Sequence, residues 1–262
     1  MNQLDNLFQE KNGNIFSVYF TAGFPRLNDT GIILEELIKN KVDLIEIGIP
    51  FSDPLADGPT IQHSDEMALK NGMTLQILFQ QLRNFKKKTS SFKTPFILMG
   101  YLNPVLQYGV EKFCKEACSF GISGIILPDL PLKEYLNEYK TIFEKYDLKN
   151  IFLITPQTSE ERVREIDKHS DSFIYMVSSA SVTGAKNKIS EAQKKYFERI
   201  KKMKLKSKTL IGFGISDKKS FETACQYAQG AIIGSAFIKS IEESKNLKKD
   251  IQIFVESIKP KS

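Results

Sequence analysis

Eight short apolar runs recur along the chain: FSVYF (16–20), DLIEIGI (43–49), TPFILMG (94–100), SGIILP (123–128), NIFLIT (150–155), SFIYMV (172–177), KTLIGFG (208–214) and GAIIGS (230–235). Each is nearly continuous in apolar side chains, the pattern of a strand covered on both faces. Between them the apolar spacing lengthens to three and four. In LKEYLNEYKTIFEKY, Leu132, Tyr135, Leu136, Tyr139, Ile142 and Phe143 fall on one side of a helix. GIILEELIKN, VEKFCKEAC, SEERVREIDKH, SEAQKKYFERIKKM, DKKSFETACQYA and NLKKDIQIFVESI read the same way, with Ser159, Ser190 and Ser216 as N-caps. No linker, low-complexity tract or compositional break divides the chain. Strand and helix alternating eight times predicts an α/β fold with a parallel sheet. At this length the closed solution is a (β/α)8 TIM barrel, one domain over 1–262 with an extra helix at the N-terminus. An open doubly wound sheet competes; it would carry its ligand glycines after an early strand, and here they come late.

Composition adds little to that picture. Of 262 residues, 41% are hydrophobic and 26% charged, a soluble globular balance able to fill one large core. No run approaches the roughly 20 apolar residues of a membrane helix, and MNQLDNLFQEKNG has no secretory pattern, so the cytoplasm is the expected location. Cys114 and Cys118 are four apart on a predicted helix, but His63 and His169 are the only histidines and lie far off in sequence. Small residues on a buried helix face are expected there, and no metal site. With Cys225 the thiols number three, which argues against a disulfide framework. The net charge of +6 is concentrated: 186–208 holds ten basic and two acidic residues, and Lys86, Lys87 and Lys88 form a second run. Without interleaved aromatics these read as solvated helix faces rather than a nucleic-acid surface, and a basic surplus suits a small anionic substrate.

The chemistry concentrates at 46–62, EIGIPFSDPLADGPTIQ. Alternation in DLIEIGI puts Leu44, Glu46 and Gly48 on one face and Ile45 and Ile47 on the other. With the isoleucines against the outer helices, Glu46 points into the barrel near the C-terminal ends of its strands, where the active sites of this fold lie. Two readings stand: a buried ion pair, or an acid/base carboxyl whose proton burial retains. The following loop is stiffened by Pro50, Pro54 and Pro59 and turned at Asp57-Gly58. Asp57 is either a turn former or a second functional acid, and Asp53 in SDP a turn former. Late in the chain, SVTG (181–184), GFGIS (212–216) and GSAF (234–237) follow the sixth, seventh and eighth runs, the last opening a short helix. Glycine lets backbone amides approach an anion, and loops seven and eight with a short helix form the usual barrel phosphate site.

These pieces together resemble the tryptophan synthase alpha chain family. The likeness runs from about Tyr19 to about Phe237; FSDPLADGPTIQ carries it most specifically, and MGYLNPVLQYG and IILPDLP support it. The resemblance implies retro-aldol cleavage of indole-3-glycerol phosphate without metal or organic cofactor. It also implies a pyridoxal-phosphate beta chain as partner, in an α2β2 heterotetramer. By motif, Glu46 matches the general acid/base and Asp57 the carboxylate that binds the indole N–H and stabilises positive charge on the ring. Tyr19, Tyr101, Tyr175 and Phe213 match indole-contacting positions, although strand-end aromatics are as often plain core; Thr183 joins them. Gly184, Gly214, Gly234 and Ser235 match the phosphate positions, and Asp53 and Pro54 the beta-chain contact. The chain departs from the family at Ser179, where arginine is common, and at Ser181, where many members have glycine.

Two other functions compete. A barrel lyase of the indole-glycerol-phosphate synthase kind would need a catalytic lysine at a strand end, and no apolar run carries an internal lysine. A catalytically idle alpha-like subunit that activates the beta chain would have no need of both Glu46 and Asp57.

Overall fold

The computed structural model describes residues 2–89, 92–178, 189–212 and 214–259. The apolar runs form one parallel sheet of β1 (Ile15–Thr21), β2 (Leu44–Gly48), β3 (Phe96–Met99), β4 (Ile122–Ile126), β5 (Lys149–Asn150), β6 (Phe152–Ile154), β7 (Phe173–Val177), β8 (Lys208–Gly212) and β9 (Gly230–Ile233). Their order is β5-β4-β3-β2-β1-β9-β8-β7-β6. The two ends of that order, β5 and β6, are separated in the chain by Ile151 alone. The fifth run is therefore one stave in two pieces: its first half pairs with β4 and its second with β7. Ile151 bridges them, its N–H donating to Ile125 O at 2.9 Å. The sheet closes on itself, and the eight runs make the eight staves of a barrel.

The connecting helices are α1 (Gln3–Glu10), α2 (Thr30–Lys39), α3 (Pro59–Lys70), α4 (Leu75–Lys88), α5 (Leu102–Tyr108), α6 (Val110–Phe120), α7 (Leu132–Glu134), α8 (Lys140–Lys145), α9 (Glu160–His169), α10 (Glu191–Lys202), α11 (Lys218–Cys225), α12 (Ser235–Ile241) and α13 (Leu247–Ile258). The segment predicted as one helix from 132 is interrupted by a wide π turn at Tyr135–Tyr139. Tyr135 stays buried there, edge-on to Phe143 and Phe152 at 5.7 and 5.4 Å. Ser159 and Ser190 cap α9 and α10 as expected. Ser216 does not cap α11. Asp217 does, its carboxylate accepting the Ser220 N–H at 2.8 Å, while the Ser220 hydroxyl takes the amides of Ser216 and Asp217. The acid wins because its oxygen reaches the third helical amide from one residue further on. The cysteine expectation also needs correcting: Cys114 is buried on α6, but Cys118 is exposed.

Strand alternation sorts side chains between the outer helices and the barrel interior. Phe16 of β1 packs edge-on to Phe221 of α11 at 5.6 Å. Ser17, one residue on, faces inward and donates to Glu46 of β2. Inside, a large residue often lies across a small one. Thr21 is paired with Gly48, and a Cβ at Gly48 would stand 2.2 Å from the Tyr19 phenol oxygen; one at Gly212 would stand 2.0 Å from that of Tyr175. Both tyrosines lean along their strands into space that only glycine leaves.

The extra N-terminal helix is tied down by Asn2, which is buried. Its Oδ1 accepts the Leu4 N–H at 3.0 Å, and its Nδ2 donates to Ser123 O at 3.0 Å and Asp147 O at 2.7 Å. Asn2→Ala removes the cap and strips two buried carbonyls of a donor. It should lower the unfolding free energy by about 2–4 kcal/mol, measured by urea titration, with the far-UV circular dichroism at room temperature unchanged.

Candidate active site

Glu46 lies in the middle of β2 with no exposed surface. Its Oε1 accepts the Ser17 hydroxyl at 2.8 Å, and its Oε2 has no hydrogen-bond partner. Among the described residues it has no ion-pair partner, which removes the buried-ion-pair reading. Burial pushes its pKa up to about 8 against the opposing pull of the Ser17 hydrogen bond. At neutral pH the group is a carboxylic acid with one oxygen uncommitted.

Asp57 sits on the stiff loop and is already turned inward, 5% exposed. The backbone turns that carry it run from Leu55 N to Asp53 O at 2.8 Å and from Asp57 N to Pro54 O at 3.0 Å. Gln62 at the start of α3 donates to Asp57 O at 2.9 Å. The Tyr101 phenol, at the N-terminus of α5, serves as the latch. It donates to Asp57 Oδ2 at 2.6 Å and accepts the Ala56 N–H at 3.0 Å. Burial raises the Asp57 carboxyl above its ordinary range, and the Tyr101 hydrogen bond works in the opposite direction.

Tyr19, Tyr101 and Tyr175 are all buried, and burial holds each phenol above its usual pKa. The smaller contributions locate them. Tyr175 feels the negative charges of Glu46 and Asp57, Tyr101 that of Asp57, and Tyr19 those of Asp65 and Asp57. Three phenols and three acids thus share one electrostatic neighbourhood at the upper end of the barrel. The Tyr101 hydroxyl is committed to the loop, and Phe51, which the sequence did not single out, stacks on its ring at 5.0 Å and 29°.

Of the late glycines, Gly214 has φ +76°, a left-handed conformation that suits glycine, and its α-carbon faces Ser178 and Gln193. Gly234 caps α12 without a side-chain hydrogen bond, and the helix opens at Ser235. A Cβ at Gly234 would stand 3.3 Å from the Tyr19 ring, which brings this end of α12 to the same tyrosine that feels Asp57. Thr183, Gly184, Ser179, Ser181 and Phe213 lie outside the described residues. On the loop, Asp53 is exposed but Pro54, whose carbonyl closes the Asp57 turn, is buried. Leu55, 90% exposed, takes the outward place. Two contributors escaped the sequence reading: Ser17, signalled only by being polar inside FSVYF, and Phe51, which reads as an ordinary loop aromatic.

Comparison with known proteins supplies a family. The family model described as tryptophan synthase alpha chain matches residues 5–260. The tryptophan synthase alpha chain of Flavobacterium johnsoniae is 59% identical over 99% of this chain and 100% of that protein. That of Bacteroides thetaiotaomicron is 49% identical over 99% and 100%. Among solved structures, the tryptophan synthase alpha chain of Legionella pneumophila subsp. pneumophila superposes with a TM-score of 0.86 at 31% identity, covering 98% of this chain and 96% of that one. A chain of the tryptophan synthase complex from Pyrococcus furiosus gives 0.83 at 34%, covering 95% and 98%. With the matched span running almost end to end, on a closed parallel barrel whose second strand buries an uncommitted acid, this chain belongs to the tryptophan synthase alpha chain family.

Proposed function

We propose that this chain cleaves indole-3-glycerol phosphate by a retro-aldol reaction, releasing indole and glyceraldehyde 3-phosphate. The observation that carries the reading is the state of Glu46: fully buried and, among the described residues, without a cation and with one oxygen unpartnered. Breaking the bond between the ring and its side chain needs a proton delivered to the ring carbon and a proton taken from the side-chain hydroxyl. Neutral Glu46 gives the first from its acid form, and the resulting carboxylate accepts the second, so the group ends as it began. Protonating the ring spreads positive charge to the indole nitrogen. Asp57, held inward by Tyr101, is the fixed anion that accepts the N–H and stabilises that charge.

The remaining assignments follow the same reading. Tyr19, Tyr175 and Phe213 wall the indole pocket with Thr183, and Tyr101 contributes its ring while its hydroxyl orients Asp57. Gly184, Gly214, Gly234 and Ser235 offer backbone amides to the phosphate, aided by the N-terminus of α12. The beta chain docks, in an α2β2 heterotetramer, against the outward side of the Asp57 loop, where Asp53 and Leu55 are exposed and Pro54 sets the turn. Among the described residues no helix is long and apolar enough to cross a membrane, and the cytoplasm is the proposed location.

Purified protein given indole-3-glycerol phosphate should release indole; no indole with or without a beta chain would refute the reading. Glu46→Gln keeps the size but removes the shuttled proton, and should lower kcat by the 10²–10⁴-fold, roughly, of a general acid–base group. Asp57→Asn should be milder, since its amide oxygen still accepts the indole N–H.

The pH dependence follows from the direction of the Glu46 shift. The group is active as an acid, so kcat/KM should fall as pH rises through about 8. Stability follows the same sign. A carboxyl whose folded pKa stands above its ordinary 4.5 contributes fully below that value and progressively less up to about 8. Denaturant midpoints at pH 5 and pH 9 should differ, the acidic one being higher, and Glu46→Gln should shrink the difference.

Binding of the beta chain to the loop favours the seated form of Asp57, so saturating partner should raise the cleavage rate. Leu55→Ser should weaken that activation while leaving the rate of the isolated chain unchanged. Equal rates with and without partner would remove the coupling.

A further inference from the structure

Ser17 is a small polar residue inside the apolar run FSVYF, and it has no exposed surface. A hydroxyl in such a place is costly to bury unless it is hydrogen-bonded. Its bond goes to Glu46 Oε1 at 2.8 Å, and among the described residues its side chain makes no other. The bond runs diagonally between neighbouring strands. In the β1–β2 register Ser17 stands opposite Leu44, and Tyr19 stands opposite Glu46. Glu46 leans back along its strand to the serine, while Tyr19 sends its phenol the other way, over Gly48.

The other neighbours offer Glu46 no substitute. From β3, Ile97 stands opposite it and brings no donor. From β7, the Tyr175 phenol feels the charge of Glu46 and, after it, that of Asp57. Among the described residues no lysine, arginine or histidine pairs with Glu46. Burial and the serine are the two influences on its proton, and they oppose each other.

A neutral carboxyl has one oxygen that only accepts and one that carries the proton; a carboxylate accepts at both. In the ionised state Ser17 can therefore only donate to Oε1. In the neutral state the same direction leaves the proton on Oε2, the oxygen without a partner, where an entering substrate can meet it. The reverse arrangement, with Oε1 donating to Ser17, would strand the serine's own proton without an acceptor among the described residues. A hydroxyl also binds a carboxylate more strongly than a neutral acid, so this bond tightens as Glu46 gives up its proton.

We infer that Ser17 is a positioning residue for Glu46: it holds Oε1 as an acceptor throughout the cycle and makes Oε2 the one oxygen that gives and regains the proton. This rests on the reaction proposed above. In the first step the Oε2–H bond breaks and a C–H bond forms at the ring carbon. In the second the side-chain O–H bond breaks and Oε2–H re-forms. The electrons of the C–C bond return to the ring, and those of the O–H bond make the aldehyde carbonyl. Ser17 transfers no proton; it stabilises the carboxylate between the two steps.

The test compares S17A with S17C. Both lack a strong donor, but cysteine nearly keeps the volume of the side chain. Each should lower kcat by about tenfold with KM unchanged, and move the alkaline limb of kcat/KM up by about one pH unit. In E46Q, which has no carboxylate to stabilise, S17A should cause no further loss. S17C with the kcat of the unmodified protein would make the effect one of packing and overturn the inference. So would an unmoved limb, a raised KM with kcat intact, or full additivity with E46Q. Infrared spectroscopy reads the bond itself. The acid carbonyl band of Glu46, identified as the one missing in E46Q, should move to higher wavenumber in S17A, because a carbonyl that loses its donor stiffens. It should also persist to higher pH. A band that S17A leaves in place would sink the inference. If S17A does not fold, S17C and its band decide. If the unmodified protein releases no indole, the reaction fails, while the band still decides the bond between Ser17 and Glu46.

Discussion

Glu46 is a carboxyl with no exposed surface and, among the described residues, no cation and one hydrogen bond, from the Ser17 hydroxyl; that isolation governs the rest of the site. An ionised carboxylate in such a place costs several kcal/mol even after relaxation, whereas the neutral acid needs only its hydrogen bonds. The proton is therefore retained by the barrel itself. A lysine or arginine in reach would lower the cost of ionisation and remove the acid needed to protonate a ring carbon. Ser17 satisfies one oxygen without supplying charge, and the other is left for whatever enters.

The second carboxyl is governed differently. Asp57 is built on a loop whose prolines restrict the backbone, whose turns close through Asp53 O and Pro54 O, and whose side chain is held by Tyr101. Rigidity there serves electrostatics, since an anion stabilises developing positive charge only if it need not reorganise as the charge appears. The same phenol that orients the carboxylate also accepts the Ala56 amide, so orienting Asp57 and holding the loop backbone share one group. The exposed Leu55 at the loop's crest lies two residues from Asp57, which gives a partner protein a short path to the chemistry.

Large side chains inside a barrel need small neighbours. Tyr19 and Tyr175 reach their places because Gly48 and Gly212 on adjacent strands have no side chain. Gly48 follows Glu46 by two residues on the same strand face, so one strand supplies both the acid and the space for the phenol beside it. Changing that glycine would displace a tyrosine before it touched the acid.

The sequence by itself determined the barrel, because strands buried on both faces must be continuously apolar and each amphipathic helix has one apolar side to cover. It determined the inward direction of Glu46 through the two-residue period of DLIEIGI, and the late glycines through their place after successive strands. Residues that matter through partners distant in the chain were not legible. Ser17 is a lone polar residue until β1 pairs with β2; Phe51 is a loop aromatic until it meets Tyr101. Asp65 is one charge on a polar helix until its face turns toward Thr21. The break at Ile151, the wide turn at Tyr135–Tyr139 and the cap at Asp217 also had no periodic signal: the first depends on a bond to the neighbouring strand, the second on packing against Phe143 and Phe152, and the third on one local hydrogen bond. Whether Glu46 was paired or free depended on what lies across the barrel, and pairing between distant strands is a property that only tertiary structure decides.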